Sequence, residues 1–174
     1  MSVTGFDGEQ SDELKSWDLL NPEQARWGAM VLWKIAQVDG VDLREQALIT
    51  ALAGATVEAE NDQRSLAELV RAGEAYLTAI PTLRESLLFT ALLVVYTDGV
   101  ISPAEEAALE ELRGSLEIDA ERCELLSHQA KVYLFKGLAA QLRNRDALKK
   151  VGLQLQLSEG EVEGFIEESR TPVG

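Results

Sequence analysis

The apolar positions of this chain recur at helical rather than strand spacing. Between Pro22 and Val38, residues Trp27, Met30, Val31, Ile35 and Val38 return every three or four positions, which marks one buried face of a helix. Leu48, Ile49, Leu52 and Ala55 do the same from Leu43 to Ala59, and Leu66, Leu69, Val70 and Leu77 do so before Pro81. From Leu83 to Thr97 the chain is apolar nearly all round, the mark of a central helix covered on every side. Later stripes comprise Ala108, Leu109 and Leu112, then Leu125, Leu126, Val132, Leu134, Phe135, Leu138 and Leu142, and finally Phe165 and Ile166. No stretch combines alternation with β-branched density between turns. The pattern predicts an all-α fold, a single multihelical domain of about seven helices.

Polar residues punctuate these blocks where helix ends need them. Asn21-Pro22 with Gln24, Ser65 with Glu68, Thr82 with Glu85, Ser102-Pro103 with Glu105, and Ser158 with Glu161 each read as a capping box. Asn61 is an alternative start for the helix after Ser65, and Asp119 caps the helix that carries Leu125 to Leu142. Residues 1–20 form an acidic, mobile tail whose end can dock through Trp17, Leu19 and Leu20. The helical domain then covers 21–170, with a short tail at 171–174.

The most informative stretch joins the central helix to the next one: Val94-Val95-Tyr96-Thr97-Asp98-Gly99-Val100-Ile101-Ser102-Pro103-Ala104-Glu105. Gly99 can end a helix in the left-handed conformation, and Ser102, Pro103 and Glu105 start another. The stretch also matches the second half of an EF-hand loop, but Val94 and Tyr96 stand where that loop needs its first carboxylates, so a complete EF-hand is excluded. A second copy lies about sixty residues upstream, a distance typical of internal repeats. It reads Val38-Asp39-Gly40-Val41-Asp42-Leu43-Arg44-Glu45, with Asp42 in the role of Ser102 and a loop one residue shorter. Aligning Glu45 with Glu105 sets Leu48, Ile49 and Leu52 beside Ala108, Leu109 and Leu112. Two pseudo-repeated helix–Asp-Gly–helix units are therefore expected.

Two Asp-Gly turns followed by a short loop and Glu, set among apolar helices, resemble the tellurite-resistance TerB-like family, which is also similar to the N-terminal domain of DjlA-type co-chaperones. The resemblance spans roughly Pro22 to Glu168 and includes Leu116-Glu117-Ile118-Asp119-Ala120-Glu121, similar to the segment after the family's second motif. The first copy departs from the family in its shorter loop and in Gln46, where some members carry an acid. The resemblance implies a non-catalytic bacterial stress-response domain, linked to tellurite resistance, that binds divalent metal or protein partners.

Composition narrows the alternatives. A formal charge of -14 over 174 residues opposes nucleic-acid binding, which needs concentrated positive charge against phosphate, and opposes adsorption to anionic membranes. One cysteine, Cys123, and one histidine, His128, preclude an internal disulfide and a closed Cys/His zinc site within one chain. The acidic N-terminus lacks a signal-peptide core, and the apolar run Leu87–Tyr96 is too short to span a membrane. The expected location is the cytoplasm. His128 falls mid-helix among apolar residues and reads as a buried or half-buried structural histidine; Cys123 reads as an inert small apolar side chain. Neither a phosphate-binding glycine loop nor a nucleophile–base pair is present, so the chain is not expected to be an enzyme.

Two readings of the turns stand side by side. In one, Asp39, Asp42 and Glu45, with Asp98, Ser102 and Glu105, supply hard oxygen ligands for weak binding of Ca2+, Mg2+ or Mn2+. In the other, the same residues only cap helices and brace their own turns, and the domain works as a protein–protein interaction scaffold for a partner of unknown identity. Lys131, Lys136, Arg143, Arg145, Lys149 and Lys150 form the one basic zone; they balance the acidic helices or else form a docking face.

Overall fold

A computed structural model describes residues 12–40, 42–53, 62–97 and 99–171. The described residues are helical, without a strand: α1 (Asp12–Lys15) runs into a 3-10 turn (Ser16–Leu19), then come α2 (Pro22–Ala36), α3 (Leu43–Ala53), α4 (Leu66–Ala72), α5 (Glu74–Ala79), α6 (Leu83–Tyr96), α7 (Pro103–Ser115), α8 (Ala120–Gln141), α9 (Arg145–Gln154) and α10 (Glu159–Arg170). The count exceeds the expected seven for three reasons. The segment before residue 21 forms a short helix. Gly73 divides α4 from α5. Leu142–Asn144 breaks the chain before α9, whose start Asn144 caps by accepting from the Ala147 N–H.

The core is built around α6, in which every residue from Ser86 to Tyr96 is buried. It packs against α8, α2, α1 and α7 in turn, as well as α3 and α5. Such an all-round apolar helix has no polar face to offer water and is stable only when enclosed. The segment at 12–20, assigned to the tail by sequence, belongs to this core: Leu14 and Trp17 are buried, the Trp17 indole N–H donates to Thr90 Oγ1 at 2.9 Å, and the Ser16 and Thr82 hydroxyls pair at 2.8 Å. Leu19 stays exposed.

Capping boxes form at Asn21/Gln24, Ser65/Glu68, Ser102/Glu105 and Ser158/Glu161. The one expected at Thr82/Glu85 does not. Thr82 has helical backbone angles and turns its hydroxyl to Ser16, while Glu85 accepts two hydrogen bonds from the Arg122 guanidinium at 2.8 and 2.7 Å. Tertiary partners have won over the local motif. Three apolar residues expected inside, Val38, Leu125 and Leu142, are exposed. The continuation of α3 to Ala59, with Ala55 and the alternative cap Asn61, lies outside the described residues, as does the Leu52 side chain. Among the described residues no helix is long and apolar enough to cross a membrane.

Candidate functional site at the two Asp-Gly turns

Both turns are built alike. Gly40 at φ 103° and Gly99 at φ 79° occupy the left-handed region, where any Cβ would be strained. Downstream, the backbone N–H of Asp42 donates to Glu45 Oε2 at 2.8 Å, and that of Ser102 donates to Glu105 Oε2 at 2.8 Å. The Glu105 N–H returns a hydrogen bond to Ser102 Oγ at 3.1 Å. The shorter first loop closes differently. Asp42 Oδ1 accepts from the Arg44 N–H at 2.7 Å and from its guanidinium at 3.3 Å, and the backbone N–H in particular holds the Asp42 carboxyl below the usual range. Asp39 is exposed, and Asp98 lies outside the described residues.

Carboxylates are rarely buried unless they are engaged, yet Glu45 and Glu105 are each only 2% exposed and, among the described residues, are the only two charged ones in the buried core. They hold the same position in the two units. The flanking apolar residues point the other way: Leu43 is 82% and Val100 62% exposed, with Val38 and Ile101 also at the surface. At both turns the acid is inside and the hydrophobic residues are outside. Among the described residues, no group of three or more His, Cys, Asp or Glu side chains is placed to hold a metal ion. The five described candidates, Asp39, Asp42, Glu45, Ser102 and Glu105, thus divide into an exposed aspartate and four residues engaged in turn or capping bonds.

Three of the six residues of the basic zone are drawn into ion pairs with α10. Arg145 pairs with Glu163 and Glu167, Lys149 with Glu163 at 2.6 Å, and Lys136 with Glu168 at 3.5 Å, its ammonium 4.9 Å from the Phe165 ring centroid. The Glu163 carboxyl is held below its ordinary range, chiefly by Lys149. His128 is exposed rather than buried; its Nε2 lies 2.8 Å from Glu161 Oε1 and ties α8 to α10. Cys123 is half-buried, and burial pushes its thiol up, away from nucleophilic character.

A feature that the sequence reading missed is a cleft of about 300 Å3 between α6, α7 and α8. Leu92, Tyr96 and Leu109 form its buried floor; Glu106, Glu110, Glu124 and Lys131 reach its rim. The Tyr96 and Ser127 hydroxyls meet at 2.5 Å inside it, and the Lys131 ammonium lies 5.2 Å from the Tyr96 ring centroid. The one signal available in the sequence is the four-residue spacing of Cys123, Ser127 and Lys131, which places them along one stripe of α8. No family model, no curated protein and no solved structure matches this chain.

Proposed function

We propose that this chain is a non-catalytic binding domain that engages a protein partner through the surface around its two Asp-Gly turns, in the bacterial stress-response setting implied by its resemblance to the TerB-like family. The observation that carries this reading is the inversion at both turns, with Glu45 and Glu105 folded inward as caps while Leu43 and Val100 stand in water. Apolar side chains that stand in water release it when a partner covers them, and that release contributes to affinity.

A second reading, weak binding of Ca2+, Mg2+ or Mn2+ at the same turns, is favoured by the matched inward glutamates, since capping uses only part of a carboxylate's acceptor capacity. Thermal unfolding in chelator and in millimolar Ca2+, Mg2+ or Mn2+ separates the two. On the interaction reading the midpoint is unchanged by the cations, and a photocrosslinking side chain at Val100 yields a discrete adduct that Leu43→Asp abolishes. A ligand at a hundred times its dissociation constant adds about 2.7 kcal/mol. A cation-dependent rise of that order in wild type, absent from Asp98→Asn/Glu105→Gln, would transfer the function to metal.

A further inference from the structure

The cleft between α6, α7 and α8 adjoins the second Asp-Gly turn through Tyr96 and Glu106 but takes none of the turn's candidate ligands, and its lining has a definite chemical bias. Its floor is apolar and aromatic, through Leu92, Leu109 and Tyr96. Of the three carboxylates at its rim, Glu110 is held by the Arg113 guanidinium, whereas Glu106 and Glu124 form no ion pair among the described residues. Glu106 and Glu110 are one helical turn apart on α7, which sets their Cβ atoms about 5–6 Å from each other. Glu124 follows Cys123 on α8, so the carboxylates reach the cleft from two of its three walls. Negative charge thus faces the cleft from both α7 and α8, above an apolar floor. Lys131 is the one cation in the lining, its ammonium lying over the Tyr96 ring and 3.5 Å from Gln156 Oε1, and burial lowers its proton affinity. His128, also in the lining, is turned to Glu161.

We propose that this cleft binds a short linear aliphatic diammonium ion. One ammonium is received at Glu106 beside the Tyr96–Ser127 hydroxyl pair, the other at Glu124, and the methylenes lie on Leu92 and Leu109. Charge complementarity selects this occupant: an anion meets three carboxylates, a bare divalent ion leaves the apolar floor unused, and a chain of four or five carbons spans one helical turn. A cleft of this size is at the small end of ligand sites, which suits a molecule of that length. Lys131 is then a competitor for the same carboxylates, and its removal favours the ligand.

The test is calorimetric titration of the full chain with putrescine at low ionic strength, with MgCl2 as the charge-only comparison. Wild type is expected to bind one equivalent, Glu106→Gln/Glu124→Gln to bind at least tenfold more weakly, and Lys131→Met to bind several-fold more tightly. Glu111→Gln/Glu121→Gln removes the same charge from exposed positions outside the cleft and is expected to leave the affinity unchanged. All four proteins retain their cores, which circular dichroism verifies. Absence of saturable heat in wild type overturns the proposal. Equal weakening by the two double variants reduces the effect to net charge and also overturns it, and weaker binding by Lys131→Met would show that the slot prefers a ligand carrying an anionic group.

Discussion

Gly73 occupies a position where a single methyl group would have nowhere to go. A Cβ there would fall inside the Trp27 ring, and that ring is pinned because its indole N–H donates to the Leu69 carbonyl at 2.7 Å. Gly73→Ala is expected to cost about 1–3 kcal/mol, lowering the unfolding midpoint by roughly 3–10 °C. Gly114 is the counterpart. It lies within α7, and a Cβ built on it meets nothing within 4 Å, so Gly114→Ala is expected to stabilise by about 0.5–1 kcal/mol. Scanning calorimetry on the two variants checks both signs. Sequence inspection treats the two glycines alike, because what separates them is Trp27, 46 residues away along the chain from Gly73.

At the scale of elements, what could be read from sequence was what is decided within four residues. Ser102 and Glu105 cap α7 as their spacing predicted, since both partners are local. Thr82 and Glu85 have the same spacing and fail, because Ser16 and Arg122 arrive from elsewhere in the chain. The candidate site divides in the same way: the caps at both turns were legible, whereas the cleft, assembled from three helices, was not. Contact topology makes a prediction of its own. α9 and α10 pack on one another and on α8, while the central α6 is enclosed by six other helices. The C-terminal pair therefore has fewer attachments to break and should open as a unit below the global unfolding free energy. Amides of α9 and α10 are expected to exchange hydrogen at least about tenfold faster than those of α6; equal protection throughout would make the molecule a single cooperative unit.

For the whole molecule, charge sets the response to pH. Arg64 holds Asp62 down to about 2 through its guanidinium and its backbone N–H. Glu85 is lowered by Arg122, and Glu161 by the Ser158 backbone N–H. A carboxyl whose folded value lies below its unfolded value stabilises the fold above the unfolded value, roughly 4, and loses that contribution as pH falls through the folded one. Stability is therefore expected to decline from about pH 4 towards 2, with a shallower decline in Asp62→Asn, measured by urea unfolding across that range. The formal charge of -14 acts in the opposite sense at neutral pH, where mutual repulsion disfavours the compact state. Added sodium chloride at pH 7 should raise the midpoint by screening that repulsion.

All three tryptophans, Trp17, Trp27 and Trp33, are buried, and all fall before residue 34. Indole emission is thus a reporter for the N-terminal half of the core, remote from α9 and α10, whereas far-ultraviolet circular dichroism weighs every helix. If the α9–α10 pair detaches first, the dichroism will begin to fall while the fluorescence still registers a native environment, and the interval between the two curves will measure how loosely the C-terminal helices are coupled to the rest.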